Sequence, residues 1–337
     1  SPENPSPAGD RPGWPPLAPS APMVASPVPT PVATAGEAWG EAATWRWRGL
    51  AVHWRRLGNP TDPALVLLHG FGAASGHWRH NAGALAEAGW CVYALDLVGF
   101  GASSQPKLRL DNRLWARQVA AFLELVVQAP AVLVGNSLGG LVALSCGVWA
   151  PGWVRAVVLA PLADPTLLMP MPQRRPPWRR RLQRWLITWA CRLLPLELLI
   201  PLIARTPLLD GALAAAYPSG RGLGPELRRL VARPALRPEA AQALRAMSIA
   251  MALRPRGATA PLLLAQLDLP LLVIWGSRDN LVPPSVRHQL QRHRPDLELV
   301  LLEGAGHCPH DEDPERFNRS LLDWLGQLPG PTLRTDA

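Results

Sequence analysis

Six short apolar runs, separated by amphipathic stretches, constrain this sequence more than anything else in it. They are ALVLLH at 64–69, WCVYALD at 90–96, AVLVG at 131–135, VRAVVLA at 154–160, PLLVIWG at 270–276 and LELVLLEG at 297–304. A strand that meets water on one face alternates apolar and polar residues. A strand apolar at nearly every position must be covered on both faces, which is the condition of a parallel sheet between two layers of helices. The chain therefore reads as an α/β protein with a mostly parallel, doubly wound sheet. Ligands of such sheets bind at the carboxyl ends of the strands, so the residues just after each run are where chemistry is to be sought. Ahead of the first run, TWRWRGLAVHWRRLG alternates apolar and polar residues around a Gly turn, as a half-buried antiparallel hairpin does.

The runs also divide the chain. Residues 1–36 are dominated by Pro, Ala and Ser, too poor in large apolar side chains to offset the entropy of ordering, and read as a disordered leader. That leader lacks the basic and apolar regions of a secretory signal, and targeting segment, linker and fragment remnant all remain open for it. Residues 37–163 form the first part of an α/β core and 266–328 the second, with 329–337 a flexible tail. Between about Asp164 and Gln266 strand signals vanish and Leu, Ala, Arg and Pro dominate, so 164–265 reads as a helical cap inserted into the core.

Several function classes are disfavoured. The formal net charge of +9 is carried almost entirely by Arg, with Lys107 the sole lysine, and no nucleic-acid motif converts it into a binding footprint. Cys91, Cys146, Cys191 and Cys308 lie far apart without CxxC spacing, which indicates neither a disulfide framework nor a zinc site and fits a reducing, cytoplasmic or plastid-like compartment. The most apolar stretch, Trp185–Ala204, is interrupted by Arg192, Pro195, Glu197 and Pro201, so no transmembrane helix is expected. Asp96–Ser103 follows a strand and contains glycines, but it lacks both the full G-x-G-x-x-G and a Walker lysine; it reads as a tight turn, and no cofactor is expected.

The strongest chemical signal is Gly135-Asn136-Ser137-Leu138-Gly139-Gly140, a G-x-S-x-G between the run AVLVG and the helical LVALSCGVWA. Small neighbours let the backbone turn sharply while the Ser137 hydroxyl projects outward, and the turn leaves the Leu138 amide at a helix N-terminus, where it can donate to an oxyanion. A second donor, the Phe71 amide, is expected from the small-residue loop Gly70-Phe71-Gly72 after the first run. A serine hydroxyl is a poor nucleophile at neutral pH and needs an imidazole oriented by a carboxylate. His307, in Ala305-Gly306-His307 after the last run, fits the base. Asp279, in Ser277-Arg278-Asp279-Asn280 after PLLVIWG, fits the acid, with Asp164 as its rival. His69 reads as a turn-stabilising residue, and His77 and His80 as surface positions. Although Cys308, His310, Asp311 and Asp313 crowd behind His307, they complete no metal-ligand set of standard spacing, so no metal is expected; Asp311 and Asp313 read as charges complementing the dipole of the next helix.

Taken in order, HGFGAASGHWRHN, LDLVGFGASSQP, GNSLGGLVAL, GSRDNLVP and GAGHCPHDEDPERFN resemble the α/β-hydrolase superfamily over residues 45–162 and 266–328. The wording is similar to the epoxide-hydrolase-related branch and, within it, to pheophytinase-type and chlorophyll dephytylase-type hydrolases of photosynthetic organisms. Ser137 stands where epoxide hydrolases and haloalkane dehalogenases carry a nucleophilic aspartate. The resemblance accordingly implies an acyl-enzyme on serine and carboxylic-ester hydrolysis. Two alternatives stay open: carbon–carbon bond hydrolysis by the same triad, and a ligand receptor that keeps the triad without turnover. In the cap, Arg174, Arg175, Arg179, Arg180, Arg181 and Arg184 stand beside Trp178, Trp185 and Trp189. That composition raises two expectations, a lipophilic ester substrate and peripheral contact with a membrane.

Overall fold

The computed structural model describes residues 14–15, 30–31, 39–169 and 177–329. In it a single sheet contains β1 (Thr30–Pro31), β2 (Glu41–Trp47), β3 (Leu50–Leu57), β4 (Ala64–Leu68), β5 (Cys91–Leu95), β6 (Ala131–Ser137), β7 (Val154–Leu162), β8 (Leu271–Gly276) and β9 (Glu298–Leu302). Their order is β1-β2-β3-β5-β4-β6-β7-β8-β9. The β2–β3 hairpin is antiparallel with Trp45 opposite Val52, and β3 runs antiparallel to β5. From β5 to β9 all pairings are parallel.

The two-sided burial inferred from the apolar runs is realised in β4 to β8, but not in β9, which as the edge strand leaves Leu301 43% exposed. In β4, Val66 and Leu68 join one core cluster while Leu65 and Leu67 join the other; in β6, Leu133 and Val132 divide in the same way. The first cluster is closed by α2 (Asn112–Phe122), α3 (Leu138–Trp149) and α10 (Pro284–His293) through Trp115, Leu141 and Leu290. On the opposite face, α1 (Ala82–Glu87) and, after the short α11 (Pro309–Glu312), α12 (Pro314–Leu325) contribute Leu85, Phe317 and Leu321. Each such side chain removed from water is worth roughly 1.5–3 kcal/mol. Two covered faces are thus what hold an uninterrupted apolar strand in the sheet.

Between β7 and β8 lie α4 (Pro177–Leu193), α5 (Leu196–Arg205), α6 (Pro207–Ala216), α7 (Pro225–Ala235), α8 (Ala240–Ala252) and α9 (Ala260–Gln266). The first five pack on one another, and α6 and α7 join the carboxyl edge of the sheet, α6 through Ala216 O, which accepts from His307 N–H, and α7 against the turn at Ser75–Trp78. By contrast, α9 lies in the core layer: Ala260, Leu263 and Leu264 are buried in the first cluster, and the helix packs on α3. The inserted region therefore ends before Ala260, because α9 spends its apolar side on the sheet. The leader also departs from its expected disorder at four positions. Trp14 packs on Trp149 with ring centroids 5.6 Å apart and lies beneath the Arg117 guanidinium, which donates to Pro15 O; Thr30–Pro31 pairs with β2. A lone indole and an open sheet edge supply there what the surrounding composition lacks. The rest of 1–36 falls outside the described residues except for those four, as do Arg174, Arg175 and residues 330–337 of the tail.

Candidate active site

Ser137 ends β6 and caps α3 with φ 55° and ψ −109°. Gln128 also has positive φ, but at φ 57° and ψ 25° it occupies the ordinary left-handed well of a helix C-terminus. Ser137 lies outside that well, a conformation costing on the order of 1–3 kcal/mol that persists only where its surroundings dictate it. Gly135 and Gly139 dictate it here. A side chain at Gly135 would run into the Gly139 carbonyl, and one at Gly139 into the Leu68 carbonyl, so β6, the turn and β4 can approach only with glycine at both places. Leu138 N–H opens α3 and, being in the first turn, has no intrahelical acceptor.

The loop after β4 lies against this elbow: the nearest side chains to a β-carbon built on Gly70 would be Asn136 and Ser137. Gly70–Ala73 forms a turn closed by Ala73 N–H to Gly70 O, at 3.2 Å, with Phe71 at its corner. The Phe71 ring is 60% exposed and meets Phe100 edge-on, 5.7 Å between centroids. His69 is fully buried; its Nδ1 donates to Gly70 O at 2.8 Å and its Nε2 accepts from Leu97 N–H at 3.0 Å. Both ring nitrogens are thus committed to holding the loop, as the turn-stabilising reading required.

Asp279 follows β8 and His307 follows β9, on the same carboxyl edge as Ser137. His307 Nδ1 donates to the Asp279 carboxylate, 3.0 Å from Oδ2 and 3.2 Å from Oδ1, which leaves Nε2 as the unprotonated ring nitrogen. Asp279 Oδ1 also accepts from Leu281 N–H and Val282 N–H, both at 2.9 Å, so one carboxylate shapes its own turn and orients the imidazole. The His307 loop is pinned twice more. Its backbone N–H donates to Ala216 O in the cap at 3.0 Å, and its carbonyl accepts from Asn136 Nδ2 at 3.2 Å. Asn136, the variable position of the motif, links the elbow to the histidine loop. Its type was visible in sequence, but its partner, 171 residues away, was not.

Asp164, the rival acid, is placed elsewhere. Its buried carboxylate takes the Arg254 guanidinium at 2.5 Å, Ala260 N–H at 2.9 Å and Thr166 N–H at 3.0 Å, which fastens the end of β7 to the start of α9. Two further readings, His77 as a surface position and Asp311 as a helix-end charge, are corrected as well, while His80 is half-exposed as expected. His77 is buried, with Nε2 donating to the Tyr217 hydroxyl at 2.6 Å, and Tyr217 in turn donates to Asp311 Oδ2 at 2.8 Å. Asp311 is the buried centre of this group and does not serve the dipole of α12, and Arg79 Nη1 lies 3.2 Å from its other oxygen. Burial opposes its charge, but His77 Nε2, 3.5 Å from Oδ2, and the Arg79 guanidinium beside Oδ1 outweigh it and hold the carboxyl well below the usual range. Asp313 does cap α12, accepting from Arg316 N–H.

Sheet order, elbow and inserted helices together are those of an α/β hydrolase. The sequence model of the alpha/beta hydrolase family matches residues 65–320, and the chain belongs to that family. It is 28% identical over 274 residues to the pimeloyl-[acyl-carrier protein] methyl ester esterase of Vibrio parahaemolyticus, covering 81% of this chain and 97% of that protein. It is also 28% identical over 293 residues to a 2-hydroxy-6-oxononadienedioate/2-hydroxy-6-oxononatrienedioate hydrolase of Burkholderia vietnamiensis, covering 82% and 91%. Among solved structures, that of a membrane phospholipase A described as a bacterial virulence factor matches with a TM-score of 0.66 and 27% identity, covering 85% of this chain and 86% of that one.

The buried histidines around the site carry a consequence for stability. Burial lowers the pKa of His69, and that of His310 more strongly. Neither His310 nitrogen has a hydrogen-bond partner among the described residues that could stabilise its charged form. For a group whose folded pKa is depressed, the unfolded chain binds the proton first. Stability is then full above the ordinary histidine pKa of about 6.5 and falls as pH drops below it. Urea unfolding is expected to show the free energy declining between pH 7.5 and 5.5, by up to about 1.4 kcal/mol per pH unit for each such histidine. A midpoint unchanged over that range would overturn the assignment of neutral buried imidazoles.

Proposed function

We propose that the chain is a serine hydrolase that cleaves a carboxylic ester of a lipophilic substrate through an acyl-enzyme on Ser137. One observation carries the reading: a serine held outside the left-handed well at the turn from β6 to α3, on the same sheet edge as a histidine whose Nδ1 is bound to a buried carboxylate. Ser137 Oγ attacks the carbonyl carbon while His307 Nε2 takes the hydroxyl proton, and Asp279 stabilises the imidazolium. The Leu138 and Phe71 amides receive the oxyanion, where fixed donors at a helix N-terminus act without reorganising. Collapse expels the alcohol, protonated by His307. Water, deprotonated by the same imidazole, then attacks the acyl-enzyme and frees Ser137.

An ester is supported by the esterase relative, and a lipophilic one by the exposed Phe71 ring beside the elbow and by the likeness to a phospholipase. A second reading, carbon–carbon bond hydrolysis with the same residues, rests on the relative from Burkholderia. An alkyl fluorophosphonate is expected to label the native chain stoichiometrically and to leave Ser137→Ala unlabelled. Turnover of p-nitrophenyl esters should rise from acetyl to long acyl chains. A folded chain that resists the probe would favour a receptor. Labelling without ester turnover, but with cleavage of a vinylogous 1,5-diketone, would favour the carbon–carbon reading.

A further inference from the structure

Helix α4 is turned the wrong way for a helix of a water-soluble cap. Its large apolar residues Trp178, Leu182, Trp185, Leu186, Trp189 and Leu193 recur three or four positions apart and so share one side. That stripe would ordinarily face the core. Here every one of the six is exposed, Trp185 at 57% and Leu193 at 75%. The helix instead rests on α8 by its opposite side, where Ile187, Thr188 and Cys191 are half-buried and Arg245 donates to Cys191 O. The outward stripe continues onto α5 in Leu198, 74% exposed, and Leu202. Three half-exposed indoles with their leucines amount to apolar surface on the order of several hundred Å², the size of the largest patch an ordinary soluble monomer tolerates.

The charge around the stripe indicates what covers it. α4 carries no acidic residue, and Arg179, Arg181, Arg184 and Arg192 are exposed along its length. Arg179 lies over the Trp178 ring, 5.2 Å from its centroid, and Arg192 over that of Trp189 at 5.9 Å. Trp185 and Trp189 are 6.2 Å apart and tilted. Indoles beside cations on an apolar helix side match the boundary between lipid headgroups and acyl chains, where ring bodies enter the hydrocarbon and guanidiniums remain with the phosphates. No single helix among the described residues is long and apolar enough to cross a membrane; Arg181–Leu193 and Leu196–Arg205 have the length and composition only together, and they are bent by 55° at their junction.

We propose that the exposed side of α4 and α5 docks on an anionic lipid bilayer and lies in its surface without spanning it. The inference deepens the proposed function by giving a lipophilic ester a route to the cap, yet the binding itself does not require the chemistry. The test uses the full chain with vesicles of phosphatidylcholine alone and of phosphatidylcholine with phosphatidylglycerol, and a variant combining Leu182→Ser, Trp185→Ser and Trp189→Ser. The native chain and Ser137→Ala should both float with the anionic vesicles, at least about tenfold more strongly than with the zwitterionic ones, and should be released by high salt. The triple variant should stay in the bottom fraction. It should hydrolyse a dissolved short ester at the native rate and a vesicle-embedded one about tenfold more slowly. Loss of all ester turnover with flotation intact would sink the proposed reaction and leave the docking standing. Equal flotation with both vesicles would overturn the anionic assignment, and resistance to alkaline carbonate would overturn a surface mode. A native dimer that the triple variant splits, with no flotation, would assign the face to a second copy of the chain and overturn the proposal.

Discussion

Ser137→Ala is expected to lower kcat by roughly 10⁶-fold, His307→Ala by about as much, and the double variant no further than either alone. The non-additivity follows from what each group supplies. Without the imidazole, the hydroxyl keeps its proton at the moment of attack; without the hydroxyl, the imidazole has no nucleophile to activate. What should survive is the proposed oxyanion site at Leu138 and Phe71 with substrate binding, worth about 10³–10⁴ over the uncatalysed reaction. Steady-state kinetics on a long-chain ester, with circular dichroism to establish folding, measures this directly. Multiplicative losses in the double variant would show that the two residues act in separate steps. The elbow adds an independent check. Because Ser137 is held at φ 55°, Ser137→Gly should be as inactive as Ser137→Ala but melt at a higher temperature, since glycine adopts that backbone without strain.

Local physics made much of this molecule readable in advance. β4, β5 and β8 declare themselves because a strand buried on both faces has no polar positions to confuse with a loop, and the elbow because only glycine permits the approach of Gly139 to the Leu68 carbonyl. The loop bearing Asp279 could be located because it follows such a strand, and that bearing His307 because it follows the apolar run at 297–304. What remained hidden depends on partners distant in the chain. Nothing near Asp311 in sequence announces that Arg79 and Tyr217, 232 and 94 residues away, close around it, so a buried carboxylate reads as a charge serving the next helix's dipole. His77 was misread for the same reason, since Tyr217 arrives from the end of α6. Periodicity also could not mark where the inserted helices stop. α9 is as rich in Leu and Ala as the helices before it, and only its contact with α3 assigns it to the core.

Asp279→Asn is expected to reduce kcat by about 10⁴-fold with the fold preserved. An asparagine oxygen can still accept from Leu281 and Val282 N–H, so the turn is kept. Its amide nitrogen, however, would offer a donor where His307 Nδ1 needs an acceptor, turning the ring to the tautomer that protonates Nε2. Asp164→Ala should do the converse. Its carboxylate is buried with the Arg254 guanidinium, and removing one partner leaves the other charge unpaired in the interior, at a cost of about 3–5 kcal/mol. In a chain of this size that lowers Tm by on the order of 10 °C, while kcat measured well below the new Tm changes only a few-fold. Two carboxylates after adjacent strands of one sheet are thus separated by opposite signatures, rate without stability at Asp279 and stability without rate at Asp164. If Asp164→Ala abolished turnover in a folded protein while Asp279→Asn left it intact, the acid would belong to β7, and the hydrogen bond between His307 and Asp279 would be a structural tie.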